Sequence, residues 1–261
     1  MILNFLILSM VLIIPSPSST SAQPNCTRVC AGGRHENQVP YPFGFSDGCE
    51  VHLNCSNAGE IRVGQYNVHN ITRDHILINF PSKCDRQFNE IRQFNNRNFA
   101  LTWRNGFLLS NCHWAFYECK VPTIRVGSHL NLQQCDTTGV DTTINCYSNN
   151  TPEQEEFINL NSLELPRCQY LVSSALFDVN GNSSHSESGP EFDQYLELGW
   201  WVRGECGCDR NAICRNVSYE NQTIGYRCYC NQGYVGDGFI DGDGCRIQAQ
   251  APGGSNTKPP P

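Results

Sequence analysis

The chain has 261 residues, of which 39% are hydrophobic and 16% are charged, and its formal net charge is −7. The hydrophobic fraction is large enough for a core, which excludes a wholly disordered chain, and the length suggests one large or two modest domains. The acidic balance excludes a general nucleic-acid-binding protein, because binding a polyphosphate needs a basic surface. The most unusual feature of the composition is its sixteen cysteines.

Residues 1–22 have the pattern of a secretory signal peptide. The stretch from Ile2 to Ile14 is almost entirely apolar, and small residues follow it up to Ala22. This apolar run is shorter than the roughly 20 residues needed to span a bilayer, which favours a cleaved signal over a membrane anchor. We therefore predict a secreted chain, which would be attached to a membrane only if a transmembrane segment followed Pro261.

Secretion determines how the cysteines are interpreted. All sixteen follow the predicted signal and their number is even, so we expect every one to be disulfide-bonded. Zinc binding at Cys206-x-Cys208 and Cys228-x-Cys230 is disfavoured because a one-residue gap is shorter than in zinc motifs, and no metal or other cofactor is expected. The sequence leaves open the pairing of the ten N-terminal cysteines, which are Cys26, Cys30, Cys49, Cys55, Cys84, Cys112, Cys119, Cys135, Cys146 and Cys168.

Secretion also makes the Asn-x-Ser/Thr sequons relevant. We predict N-glycosylation at five of them, Asn70, Asn149, Asn182, Asn216 and Asn221. The sequons at Asn25 and Asn54 are disfavoured because the middle residue of each is a cysteine expected to form a disulfide.

Alternating apolar residues predict a mainly β, disulfide-rich fold. In chain order, the alternation marks strands at Ile61/Val63, Ile76/Ile78/Phe80, Phe99/Leu101/Trp103 and Ile124/Val126. One short helix is predicted over residues 153–165, after Thr151-Pro152. Residues 247–261 are rich in proline and glycine, which predicts a linker or tail.

Charged residues are distributed unevenly along the chain. Residues 23–130 carry 11 basic and 8 acidic side chains, whereas residues 131–205 carry 2 and 12. Arginine binds carboxylates through two parallel hydrogen bonds, and aromatic rings can pack on sugar rings, so a basic and aromatic block suits an acidic polysaccharide. The alternative is that the aromatics form core and the cations a solvated face. The predicted ligand-binding residues are Lys83, Arg86, Arg92, Arg97, Arg104, Trp103 and Trp114.

Residues 204–246 form a cysteine-dense segment with Cys206, Cys208, Cys214, Cys228, Cys230 and Cys245. The spacing, with Cys208-Asp-Arg-Asn-Ala-Ile-Cys214 and Gly233-Tyr-Val-Gly-Asp-Gly-Phe239, resembles an EGF-like domain. The resemblance implies the pairs Cys206–Cys214, Cys208–Cys228 and Cys230–Cys245. Calcium is not expected, since residues 201–205 do not match the calcium-binding members; Asp237, Asp241 and Asp243 are expected to serve glycine turns instead.

The N-terminal block has a second specific pattern. Cys26 and Cys30 precede Tyr41-Pro42-Phe43-Gly44, and Cys49 and Cys55 follow it. This arrangement is similar to the galacturonan-binding domain of plant wall-associated receptor kinases, and Leu198-Gly-Trp-Trp-Val-Arg-Gly-Glu-Cys206 resembles the junction of the same group into an EGF-like module. We expect the motif itself to be structural, with docked aromatics and a special turn angle at Gly44. Trp200 and Trp201 are expected to pack at the junction.

The resemblance implies five segments: a signal peptide (1–22), a galacturonan-binding-like β domain (23–130), an acidic continuation (131–203), an EGF-like domain (204–246) and a tail (247–261). The implied function is binding of a pectin-type acidic polysaccharide in the cell wall or at the outer face of the plasma membrane. The alternative is protein or peptide recognition through the EGF-like module, with a co-receptor as partner. No catalytic residues are predicted, because the histidines are scattered and neither a nucleophile elbow nor a phosphate loop is present. The kinase of the family is absent from this chain.

Overall fold

A computed structural model describes residues 26–32, 37–112, 120–122, 143–147, 156–160, 168–176 and 194–248. Several sequence-based predictions lie outside these residues: the signal peptide, the tail beyond 248, the strand at Ile124/Val126, the glycosylation sites Asn149 and Asn182, and the residues Trp114, Cys119 and Cys135. The described elements are mostly strands tied by disulfides, which confirms the mainly β, disulfide-rich fold class.

The described strands, in chain order, are β1 (Val29–Cys30), β2 (Asn37–Gln38), β3 (Phe43–Gly44), β4 (Val51–His52), β5 (Asn54–Cys55), β6 (Ile61–Val63), β7 (Tyr66–Ile71), β8 (His75–Asn79), β9 (Phe99–Leu101), β10 (Asn105–Cys112), β11 (Lys120–Pro122), β12 (Thr143–Tyr147), β13 (Cys168–Leu176), β14 (Tyr195–Trp200), β15 (Ala212–Tyr219), β16 (Gln222–Cys230), β17 (Tyr234–Val235) and β18 (Arg246–Ile247). A 3₁₀ helix, η1, spans Phe88–Phe94 between β8 and β9.

A six-stranded sheet in the order β5-β6-β7-β8-β14-β9 is the centre of the fold. Ile76 and Ile78 of β8 lie opposite Leu198 and Leu196 of β14, and all four side chains are fully buried. Such directly opposed apolar pairs are the unit of sheet stabilisation, and here they hold the sequence-distant β14 between β8 and the edge strand β9. A second sheet, in the order β11-β12-β10-β13, contributes Phe107, Leu109 and Leu171 to the same core.

The helix predicted over residues 153–165 is absent from the described part, residues 156–160. Phe157 instead forms a β-bridge with Thr102, and the amide of Ile158 donates to the carbonyl of Leu101. Phe157, Ile158 and Leu160 are all buried, so this segment packs as an extended chain along β9. Tertiary packing decides between helix and extended chain for such a short apolar run.

All fourteen cysteines of the described residues are disulfide-bonded. The resolved pairs are Cys26–Cys49, Cys30–Cys55, Cys112–Cys168, Cys206–Cys214, Cys208–Cys228 and Cys230–Cys245. The last three are the pairs that the EGF resemblance implies. Within the same residues, no helix has the length and apolar character needed to cross a membrane.

The Tyr41-Pro42-Phe43-Gly44 motif lies beside the Cys26–Cys49 disulfide. Its Tyr41–Pro42 peptide bond is cis, and Gly44 is a strand residue rather than a left-handed turn residue, which corrects the expectation of a special turn angle. A Cβ atom on Gly44 would collide with the Sγ atoms of both Cys26 and Cys49. The glycine is therefore required by the close approach of a disulfide.

Replacement of Gly44 by Ala should prevent the Cys26–Cys49 disulfide from forming in its native geometry. Loss of a native disulfide typically costs about 2–5 kcal/mol, so we expect poor secretion and two free thiols in the secreted fraction. Thiol labelling followed by peptide mapping measures this directly. Asp47→Ala, at an exposed site in the same disulfide loop, is the control and should label like the unmodified protein.

The residues from 204 to 248, called here the C-terminal module, are built on the β15–β16 hairpin. Aromatic side chains dock the module onto the rest of the protein. Phe239 of the module lies 5.2 Å from Tyr41 and 6.4 Å from Trp200 between ring centroids, and Trp200 contacts Phe43 edge-on at 4.8 Å. Tyr41 and Phe43 of the N-terminal motif thus form part of the surface that receives the module.

Trp200 and Trp201 are both buried at this junction, as expected. Trp201 packs against Phe157, whose ring also contacts Tyr219 of β15. Backbone hydrogen bonds in both directions join Val202 to Tyr226. One core cluster therefore runs from the central sheet into the C-terminal module, although cysteine density and charge change abruptly in the sequence at this point.

Candidate functional site

The predicted ligand-binding cations do not form a single exposed row. Lys83 is exposed, and Arg92 in η1 and Arg97 just beyond it are also exposed. Arg86, in contrast, is buried, and Arg104 is partly buried and paired with Glu197. Trp103 is half-buried, with its amide donating to the carbonyl of Glu156. Arg86 and Arg104 are therefore not solvent-facing cations like Lys83, Arg92 and Arg97.

Arg104 is the counterion of a buried carboxylate. Its Nη1 lies 2.9 Å from Oε2 of Glu197, which projects from the middle of β14 with its side chain only 3% exposed. The other carboxylate oxygen accepts a hydrogen bond from the Thr102 hydroxyl at 2.8 Å, and His75 Nε2 lies 3.4 Å from Oε2. A buried charge is costly unless it is paired and hydrogen-bonded, so Arg104 is committed to Glu197 rather than to a ligand.

Arg86 forms the floor of a surface pocket. Its guanidinium lies over the Phe80 ring, 3.8 Å from the centroid, and its Nη2 donates to the carbonyl of Pro81 at 2.5 Å. Its Nε has no hydrogen-bond partner in the described structure, and the nearest carboxylate oxygen, on Glu90, is 4.0 Å away. Burial lowers the pKa of Arg86, with Tyr66 and Glu90 acting in the opposite direction, but an arginine remains charged at neutral pH.

The pocket has a volume of about 830 Å³, within the range of ligand-binding clefts. It opens where β7, β8 and β14 come together at one end of the central sheet, next to η1. The lining residues are Arg62, Gln65, Tyr66, Asn67, Asn79, Pro81, Lys83, Arg86, Glu90, Gln194 and Tyr195. Three cations, one carboxylate, two phenols and four side-chain amides therefore face one cavity.

Arg62 is a pocket residue that sequence reasoning missed. Its Nε donates to Oδ1 of Asn67 at 2.8 Å, and its Nη2 donates to Glu60 at 2.5 Å. These two contacts hold the guanidinium at the pocket rim with about a third of its side chain exposed. Arg62 lies within the basic block of residues 23–130 but was not among the predicted ligand-binding residues. The pairing of β6, β7 and β8 places it in the same pocket lining as Lys83.

Two tyrosines supply the aromatic surface of the pocket. Tyr66 packs against Phe80 and Phe94, while its hydroxyl lies 3.5 Å from Glu90 Oε2. Tyr195 stacks on His69 at 4.4 Å between ring centroids, which orients its ring at the rim. Neither tyrosine was among the predicted residues, because only the pairing of β7 and β14 with the two edges of β8 brings them to one pocket.

This combination of groups suits a ligand with carboxylates and many hydroxyls. The net charge of the lining itself is +2, from Arg62, Lys83 and Arg86 against Glu90, while Glu60 lies 2.5 Å from Arg62 and Asp85 lies 3.7 Å from Lys83. Amide side chains both donate and accept hydrogen bonds, which matches sugar hydroxyls, and Arg86 contributes its positive charge from beneath the pocket surface.

Other predicted sites are distributed over the surface. Asn70, Asn216 and Asn221 are exposed, and Asn221 lies in the tight turn of the β15–β16 hairpin with φ of 61°. The Asp237 carboxylate accepts backbone hydrogen bonds from Phe239, Asp243 and Gly244, so it serves the local turns. Cys206, Cys208 and Cys214 lie close enough to share a metal ion, but each is disulfide-bonded and offers no thiolate.

These features define a class: a disulfide-rich β protein with a cationic surface pocket at one end of its main sheet. Wall-associated receptor kinase-like 14 of Arabidopsis thaliana is 31% identical over 243 residues, which is 90% of this chain and 34% of that protein. Wall-associated receptor kinase-like 21 of the same plant is 29% identical over 78% of this chain and 32% of that protein. A probably inactive receptor-like protein kinase, At2g46850, is 26% identical over 79% of this chain.

The chain is thus a relative of the wall-associated receptor kinase-like proteins, which confirms the resemblance drawn from its motifs. All three relatives are receptor-kinase-like proteins by name. The chain spans about a third of the length of the curated relatives it matches. No protein-family model matches the chain, and no solved structure matches it.

Proposed function

We propose that the chain is a non-catalytic extracellular recognition domain that binds an acidic, pectin-type cell-wall polysaccharide in the pocket above Arg86. The observation that carries the proposal is the convergence of Arg62, Lys83 and Arg86 on one cavity with tyrosine and amide walls. The relatives are receptor-kinase-like proteins by name, and a polyuronate is the wall polymer whose repeating carboxylates match these cations.

The affinity of such a site depends on repetition along the polymer. An exposed ion pair contributes only about 0.2–1 kcal/mol, so Arg62 and Lys83 each add little with a single carboxylate. A polyuronate offers a carboxylate on every sugar, and contacts made in series by one chain reinforce each other. Binding should therefore strengthen with oligogalacturonide length and weaken with salt, because salt screens the exposed cations.

The test compares two double variants with the same loss of charge. Arg62→Ser with Lys83→Ser removes two pocket cations, and Arg92→Ser with Arg97→Ser removes two exposed cations outside the pocket lining. Long oligogalacturonides should bind the pocket variant about tenfold more weakly or worse, because two contacts of roughly 0.7 kcal/mol each amount to one decade. The second variant should bind within about twofold of the unmodified protein. Surface plasmon resonance at low and high salt measures both.

Equal losses in the two variants would show that net charge rather than the pocket governs binding, and would overturn the proposed site. Equal binding of methyl-esterified pectin, whose carboxylates are neutral, would overturn the charge mechanism. Thermal unfolding of both variants provides the folding control, since all four positions are at least partly exposed.

A further inference from the structure

A second cationic site lies at the seam between the C-terminal module and the central sheet. Its centre is Tyr229 of β16, and its cations are Arg73, from the connection between β7 and β8, and Arg215 of β15. The Arg215 guanidinium lies 4.8 Å from the centroid of the Tyr229 ring, and that of Arg73 lies 5.9 Å away. One aromatic ring thus gathers arginines from two parts of the chain that only tertiary docking brings together.

The position of Tyr229 is set by hydrogen bonding. Its hydroxyl donates to Oδ1 of Asp74 at 2.5 Å, and burial followed by this hydrogen bond raises its pKa, which keeps it a neutral donor. Asp74 also lies 4.0 Å from Nη1 of the buried Arg227, and Arg227 in turn donates to Glu156 at 2.6 Å. Both nearby carboxylates are therefore engaged by Tyr229 and Arg227.

Arg73 and Arg215 themselves are exposed, and no carboxylate of the described residues lies within ion-pair distance of either. A cation held over an aromatic face is attracted to the ring, so both guanidinium groups are oriented before any ligand arrives. Side-chain ordering that is already present in the free protein reduces the entropy lost on binding.

An exposed apolar side chain completes the surface. Ile213 is 52% exposed and lies directly opposite Tyr229 in the β15–β16 register, while Arg215 lies opposite Arg227. Because residues two apart on a strand share a face, Ile213 and Arg215 project from the same face of the hairpin. Tyrosine and arginine are enriched among the residues that contribute most of the binding energy in protein–protein interfaces.

We propose that Arg73, Arg215, Tyr229 and Ile213, called here the seam site, bind a partner protein through an acidic residue flanked by an apolar one. The arginines supply the complementary charge, and Ile213 supplies an apolar contact. A polysaccharide fits less well, because two guanidinium groups already occupy the Tyr229 ring that a sugar would stack on.

The seam site is separate from the pocket. β7, β8 and β14 each have one end at the pocket, at Tyr66, Asn79 and Tyr195, and the other end near the seam. Strands of five to six residues at about 3.3 Å per residue place the two sites roughly 15–20 Å apart. A ligand at the seam site therefore does not depend on the polysaccharide proposal.

The test uses short peptides as probes of the full secreted chain. A capped peptide with glutamate between two leucines is compared with the same peptide carrying glutamine, and binding is followed by NMR of the arginine Nε–H groups. We expect the glutamate peptide to shift the signals of Arg73 and Arg215 and to bind about tenfold more tightly than the glutamine peptide. The double variant Arg73→Gln, Arg215→Gln should lose this preference.

Two control variants and one alternative ligand, an oligogalacturonide, complete the test. Arg203→Gln with Arg210→Gln removes two exposed arginines, one immediately before the C-terminal module and one within it, and should leave peptide binding unchanged. The pocket variant lacking Arg62 and Lys83 should also bind the peptide normally, which separates this proposal from the polysaccharide site. Equal binding of the two peptides, or normal binding by the Arg73/Arg215 variant, would overturn the seam site. A shift of the same arginines by an oligogalacturonide in place of the peptide would overturn the protein partner.

Discussion

Replacement of Phe239 by Ala should destabilise the central sheet as well as the C-terminal module, with a loss of about 3–5 kcal/mol in the free energy of unfolding. Phe239 is 2% exposed, and its ring contacts Tyr41, Trp200 and Tyr226. Trp200 ends β14, and Tyr41 belongs to the N-terminal motif. A cavity at Phe239 therefore removes contacts from three separate parts of the chain.

Hydrogen exchange distinguishes this prediction from that of an independently folded module. If the core is continuous, Phe239→Ala should reduce protection in β8 and β14 together with β15 and β16. Ile240→Ala is the matched control, because Ile240 is adjacent but 65% exposed, and it should change stability by no more than about 0.5 kcal/mol. Unchanged protection in β8 and β14 of the Phe239 variant would contradict a shared core.

Replacement of Glu197 by Gln should lower the free energy of unfolding by about 3 kcal/mol, the lower end of the cost of breaking a buried ion pair. The side chain keeps its shape but loses the charge that faces Arg104 and His75. Arg104 would keep its charge without a counterion at 2.9 Å, and its side chain is only 32% exposed, so water compensates incompletely.

Chemical denaturation measures this loss, and a second variant identifies its cause. Glu197→Gln combined with Arg104→Met should recover a large part of the stability, because removing both partners leaves no buried uncompensated charge. Glu205→Gln, at an exposed position, is the control and should be close to neutral. If the double variant is less stable than Glu197→Gln alone, Arg104 contributes through packing rather than as a counterion.

The strands at Ile61/Val63, Ile76/Ile78 and Phe99/Leu101 could be predicted from their period-two apolar pattern, although β9 is buried at all three residues. The short apolar run from Phe157 to Leu160 has no strict period-two pattern. Its conformation depends on the part of the protein that it packs against, which here is β9. The 3₁₀ helix η1 was missed for a related reason: its buried residues, Ile91 and Phe94, also fit an irregular amphipathic segment.

Only some residues of the candidate site could be predicted from the sequence. Lys83 and Arg86 were identified from the local excess of charge, but the same signal also selected Arg104, which pairs with Glu197 of β14, 93 residues away in sequence. Charge density along the sequence cannot distinguish an arginine that faces solvent from one that faces a buried carboxylate. Arg62, Tyr66 and Tyr195 could be found only through the pairing of β6, β7, β8 and β14.

By itself, the sequence determined the fold class, the disulfide character and the kinship with wall-associated receptor kinase-like proteins, because composition, alternation and cysteine spacing are local properties. Only the tertiary structure decided which cations share a cavity, that Gly44 makes room for a disulfide, and that the C-terminal module shares its core with the central sheet. These outcomes depend on contacts between residues far apart in the chain. The free energy of such contacts cannot be inferred from any short stretch of sequence.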